Sequence, residues 1–139
     1  MRAIKFRGKR LDNGEWINGD LHIRTPHAHI HSALGSRAFI DTDTIGQFTG
    51  LHDKNGKDIY EGDILRSDEY PFNCDGVDNY FAEIVWADNV CGFYRITLKN
   101  PNSTVRGISH GCWEQLDKED IKSFEVIGNI YDNKEYLEE

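Results

Sequence analysis

Cysteine is scarce in this chain, and its placement argues against a disulfide scaffold. Cys74, Cys91 and Cys112 are separated by irregular gaps, with no C-x-x-C among them. A disulfide framework needs pairs and a secreted context, so reduced thiols acting as small apolar filler or loop residues are expected. Long apolar runs are lacking too, none approaching the roughly 18 residues of a membrane span. The N-terminus M-R-A-I-K-F-R-G-K-R is basic but lacks the apolar segment of a signal peptide, so the expected location is cytoplasmic. No G-x-S-x-G, Walker loop, Rossmann fingerprint or H-E-x-x-H appears. With no local signature for those chemistries, no catalytic residue and no cofactor is assigned.

What the chain does have is aromatic bulk and acid. Its 139 residues suit one domain with a core large enough to need neither metal nor disulfide. Seven Phe, six Tyr and three Trp against a single Met favour strands, because aromatic and β-branched side chains fit a pleated, half-buried surface. The net charge is −8, unevenly spread. Arg2, Lys5, Arg7, Lys9 and Arg10 open the chain without an acid, whereas residues 61–88 hold eight acids against Arg66 alone. Such a balance disfavours general binding of phosphate backbones, which reward clustered cations. A solvated face explains the acidic block; mimicry of nucleic acid or contact with a basic protein surface are the functional alternatives.

Strand signals outnumber helical ones. Ile4 to Arg7 alternates apolar and basic residues, Asp12-Asn13-Gly14 turns, and Trp16 to Ile23 returns, together an N-terminal hairpin. Residues 26–38 are His-rich without stable periodicity and read as an excursion or a weakly paired hairpin. A strand at 44–49, a turn at Asn55-Gly56, a return at 58–61 and a strand at 64–66 follow. Residues 67–79 form a long polar loop, of the kind that is functional or mobile. Strands are expected at 80–86, 93–98, weakly at 104–108, and at 124–131. Helical character is confined to 115–122 and to a short terminal helix at 133–137 headed by Asp132 and Glu135. Many short, evenly punctuated strands argue for an antiparallel sheet curled into a barrel.

The block Q-F-T-G-L-H-D-K-N-G-K-D-I-Y-E-G-D-I-L (47–65), the opening I-K-F-R-G-K (4–9) and the ending F-E-V-I-G-N-I-Y-D-N (124–133) resemble the YopX family, found mainly in phages, prophages and bacterial mobile elements. The likeness follows the order of motifs along the whole chain. Gly50, Asn55, Gly56, Tyr60, Gly62, Asp63, Gly128 and Asn129 stand at its signature positions and are read as structural. The resemblance implies a mainly β fold, an antiparallel, strongly bent sheet forming a small Src-homology-3-like barrel, with one or two short helices near the C-terminus. The layout would be a hairpin at 1–24, a variable His-rich insert at 26–38, a barrel core at 39–131 and a short helix at 132–139. It implies no activity and carries over no catalytic residues.

Three sets of residues are candidates for function. His27, His29 and His31 alternate, so on a strand their imidazoles would share one face, a platform for zinc or nickel, with His110 and Cys112 as a further pair. Side chains two apart on a strand stand roughly 6–7 Å from each other, a spacing that serves two ligands better than three. Surface histidines are therefore the favoured reading. Glu61 and Asp63, with Asp58 nearby, could form an acid–base pair, but Asp63 after Gly62 suits a carboxylate bonding turn amides. Trp113, Tyr80, Asp75 and Asp78 are the candidate interaction residues, whereas Trp16 and Trp86, within well-patterned strands, are expected in the core.

The expectation is a non-catalytic protein-interaction module whose partner is a host or phage protein, with homo-oligomerisation left open and no membrane involved. A nucleic-acid-associated or DNA-mimicking protein acting on a host factor is the alternative, direct nucleic-acid binding being disfavoured by charge. A metal-binding enzyme built on the His-rich segment ranks third.

Overall fold

The computed structural model describes residues 2–67, 80–98 and 113–137, and its strands pair antiparallel. The chain divides into two compact units, residues 1–50 and 51–139, the boundary falling inside what the sequence presents as one barrel core.

In the first unit β1 (Phe6–Lys9), β2 (Trp16–Arg24), β3 (His27–His31), β4 (Arg37–Phe39) and β5 (Gly46–His52) lie in the order β4-β3-β2-β1-β5. The last two residues of β5 belong to the second unit. The β1–β2 hairpin forms as expected, with Phe6 opposite Gly19, Lys9 opposite Trp16 and Gly14 at positive φ in the turn. Period-two alternation then sorts the side chains: Ile17, Ala28, Ile30, Ala38 and Ile40 point inward as the core, supported by Phe6, Leu21 and Ile45.

Residues 26–38 are therefore neither an excursion nor weakly paired. β3 pairs along its whole length with β2, from Asp20–His31 to Arg24–His27, and with β4 on its other side. Ile30 is fully buried. The alternation H-A-H-I-H was hidden because alanine is a weak apolar signal and histidine an ambiguous polar one. Close approach is built in at Gly19, where φ is +151° and an added Cβ would collide with the His31 carbonyl oxygen.

The second unit contains β6 (Asp58–Tyr60), β7 (Asp63–Ser67), β8 (Tyr80–Ala87), β9 (Gly92–Leu98), β10 (Trp113–Gln115) and β11 (Glu125–Asn129). Five of them form a sheet in the order β10-β9-β8-β7-β11. Its core is Ile59, Leu65, Tyr80, Ala82, Ile84, Ile121 and Phe124, with Leu51, Phe93, Leu116 and Val126 packed against it. The sheet remains open among the described residues, so the expected closed barrel is not found.

The expected helices are also absent there. Residues 115–122 give the end of β10 and a single 3-10 turn, Asp120–Ser123, and the C-terminus gives another, Lys134–Tyr136. Asn133 makes no side-chain cap, and Asp132 instead accepts the side-chain N–H of Asn129 at 3.1 Å. Without a cap or a sizeable apolar face, so short a segment has nothing to offset the cost of nucleating an α-helix.

Candidate functional site

The structure gives most of the family-signature residues backbone work. The Asp63 carboxylate accepts the Tyr60 N–H at 2.7 Å, as expected of an acid after a turn glycine, and it is fully buried. Gly50, Gly56 and Gly62 all have positive φ. Asn55 donates its backbone N–H to Asp53 at 2.8 Å, and Asn129 accepts the N–H groups of Tyr131 and Asp132, each at 3.0 Å. At Gly128 the β7–β11 register slips, and an added Cβ would strike the Asn133 side chain. Asp63 is thus engaged with backbone, and Asp58, the third acid of that set, pairs with His52 at 3.0 Å. Asp53, which the sequence reading passed over, is the hub of this region. Its carboxylate accepts from Asn55, Lys57 and Val126 at 2.8, 2.8 and 2.9 Å.

The expected interaction residues separate. Asp75 and Asp78 lie outside the described residues, as do most of the 67–79 loop, the strand expected at 104–108, His110 and Cys112. The backbone of Trp113 belongs to β10, opposite Ile96, and its side chain falls outside the description. Tyr80 is corrected: only 4% exposed, it shares a 2.7 Å hydrogen bond with the Thr97 hydroxyl and packs edge-on against Phe124, so it is a core residue. Trp86 is corrected in the opposite sense. It is 40% exposed and packs edge-on against Phe93: it shares a strand face with Tyr80, Ala82 and Ile84 but lies near the end of β8, beyond the buried core. Trp16 is half-buried, with the Arg7 guanidinium 4.6 Å and the Lys9 ammonium 5.5 Å from its ring.

The outward face of β2, β3 and β4 gathers the histidines. The β3 alternation puts His27, His29 and His31 on one side, and the β2 register adds His22 opposite His29. The rings of His22 and His29 stack at 5.0 Å, almost parallel, while His31 lies 4.5 Å from His22 and 4.9 Å from His29. His27 takes no place in that trio and meets Phe39 edge-on at 6.4 Å. Phe39 also meets His29 at 5.8 Å. Stacked rings set their in-plane lone pairs side by side, so they do not converge on one ion. Among the described residues no group of three His, Cys, Asp or Glu is placed to hold a metal. His22 was missed because its place in the cluster depends on β2–β3 register, which cannot be read from the H-x-H-x-H spacing.

These rings line a groove of about 660 Å³ together with Arg24, Arg37, Phe39 and Ile23. The groove has no carboxylate in its wall. Asp20 is the sole acid in the sequence of strands β1 to β5. Packing of its neighbours over the ring lowers the pKa of His29, and the charges of His31, His22, Arg37 and Arg24 lower it further. His31 adds a second tension: its Nε2 is buried and has no hydrogen-bond partner among the described residues. Beside the groove, Leu11, Asp12, His27, Arg37, Ala38 and Phe39 line a hollow of about 650 Å³. Phe39 is 62% exposed there, and Leu11 and Ile23 are similarly open.

These features define a mainly β, antiparallel protein in two units, the first bearing an imidazole-lined sheet face. The sequence profile of the YopX protein family matches residues 5–138, nearly the whole chain, and the chain belongs to that family. Among solved structures it is similar to protein EF1440 from Enterococcus faecalis, at 24% identity and a TM-score of 0.57, covering 99% of this chain and 100% of that one. That likeness shows the fold. No curated protein matches the chain. Among the described residues no helix is long and apolar enough to cross a membrane.

Proposed function

We propose that this protein is a non-catalytic, cytoplasmic binding module that engages another protein, of phage or host, through the outward face of β2–β4. The observation carrying this reading is the exposed Phe39, set between His27, His29 and Arg37 at the meeting of two hollows. An aromatic side chain beside an arginine, in a concave apolar setting, has the make-up of an interface anchor. The charge of the surroundings selects the partner. Residues 1–50 hold seven Lys or Arg against five Asp or Glu, a net +2, and the polar side chains of the groove wall are all arginines and histidines. An acidic segment bearing at least one apolar side chain complements that face.

Affinity capture with the wild type and with Phe39→Ser, followed by purification of the captured partner, tests the reading. Direct binding of that partner at least about tenfold weaker for Phe39→Ser, a loss of about 1.4 kcal/mol, with an unchanged melting temperature, supports it. Equal binding by both proteins overturns it.

A second reading rests on the other unit. Residues 51–139 hold nineteen Asp or Glu against nine Lys or Arg, a net −10, the charge expected of a protein that imitates nucleic acid toward a host factor. Competition between this protein and duplex DNA for the captured partner would favour it; failure to compete at low salt would end it.

A further inference from the structure

We infer that the His22–His29–His31 cluster, flanked by Arg24 and Arg37, is a binding site for the carboxylates of an acidic protein segment, and that it takes up protons as it binds. The inference rests on the binding face proposed above and gives that face its ligand chemistry and its regulation.

The geometry sets the terms. Three imidazoles lie within 4.5–5.0 Å of one another, too close for all to be protonated without repulsion, and the guanidinium groups of Arg24 and Arg37 add to it. With no anion present, that crowding works against placing several positive charges in the cluster at once. A carboxylate placed among the rings reverses the balance, attracting a proton onto an imidazole and pairing with the arginines beside it.

The other charged groups around the cluster leave that conclusion in place. From β2 come Asp20, exposed and opposite His31, and Arg24; from β3, His27; from β4, Arg37. β1 contributes Arg7 and Lys9, whose cations lie over Trp16. Asp12, the acid of the neighbouring hollow, is already held by Arg10 at 2.7 Å. One exposed carboxylate, Asp20, thus stands against the cations of three strands.

A short acidic peptide fits better than nucleic acid. The cations are confined to one groove of about 660 Å³, whereas the remainder of the chain, at net −10 over residues 51–139, repels an extended phosphate backbone. Linkage requires that protons taken up on binding make affinity rise as pH falls, by at most one power of ten per pH unit for each proton.

The test uses a short oligoglutamate peptide, with an oligothymidylate of equal charge as comparison, and follows the histidine ring protons of the whole protein by NMR. The expected result is that oligoglutamate binds at least about tenfold more tightly at about pH 5.5 than at about pH 7.5 and raises the titration midpoints of His22, His29 and His31. His29→Gln and Arg37→Gln should each weaken binding, and His29→Gln should also flatten its pH dependence. Both positions face solvent at least in part, and circular dichroism confirms folding. Affinity unchanged with pH, or ring protons unmoved by the peptide, overturns the proposal, as does tighter binding of oligothymidylate. If oligoglutamate fails to bind while Phe39→Ser still abolishes partner binding, the anion site is wrong and the binding face stands. The converse pattern removes the binding face and keeps the anion site.

Discussion

Asp53 and Val126 are 73 positions apart in the chain, yet the Asp53 carboxylate accepts the Val126 N–H at 2.9 Å. The other oxygen of the same carboxylate holds the turn through Asn55 and Lys57. One buried side chain therefore closes a local hairpin and pins a strand from near the end of the chain to it.

Replacing Asp53 by Ala leaves three backbone donors without their acceptor. Hydrogen bonds to a charged group contribute about 1.5–3 kcal/mol each, and their losses overlap, so Asp53→Ala should cost about 3 kcal/mol or more. Asp53→Asn, which keeps one acceptor oxygen, should lose less. Urea denaturation of the two variants checks the order as well as the size.

Arg95 is 1% exposed and binds Glu114, with Asp120 at 3.6 Å, while its guanidinium lies 6.0 Å from the Tyr80 ring centroid and 5.7 Å from that of Phe124. Removing it deletes buried volume and abandons two carboxylates. A loss of about 3–5 kcal/mol is expected for Arg95→Ala. Arg95→Lys should recover only part of it, because an ammonium lacks the planar fork that spans two partners and faces two rings. Thermal melts of both variants decide the point.

Glu83 gives a pH-dependent prediction with a definite sign. Its pKa is raised, first by burial and then by the charge of Glu61. The folded state thus holds this proton more tightly than the unfolded chain does. Stability contributed by that proton is present below the ordinary value of 4.5 and is lost as pH rises through the folded value. Glu83→Gln, which is neutral throughout, should therefore melt at a higher temperature than the wild type near neutral pH, with the gap closing in acid. A gap constant from about pH 4 to about pH 7 would contradict this assignment.

The sequence made the strands legible wherever strong alternation met a glycine turn: the N-terminal hairpin, β8, β9 and β11 stand where expected. The Asx role of Asp63 was legible for the same reason, being local chemistry after a turn glycine. What escaped were features set by pairing between distant segments. His22 joins the cluster only through the β2–β3 register, and Asp53 acquires its third partner from β11. Trp86 looked like a core residue because its strand is strongly apolar and its parity matches Tyr80, Ala82 and Ile84, but it lies near the strand's end, where the core no longer covers it. The expected helices failed because L-D-K-E-D-I-K offers charges without enough apolar surface to hold two turns in place.

The division of charge between residues 1–50 and 51–139 has a consequence for the chain as a polyelectrolyte. An isoelectric point near 5.2 describes neither half: at pH values between that point and neutrality the first unit is cationic while the second remains strongly anionic. Acidification toward the isoelectric point adds charge to one and removes it from the other. Two copies then attract through unlike regions even as their net repulsion vanishes, so the protein should be least soluble on the acid side and be redissolved by salt, which screens that attraction.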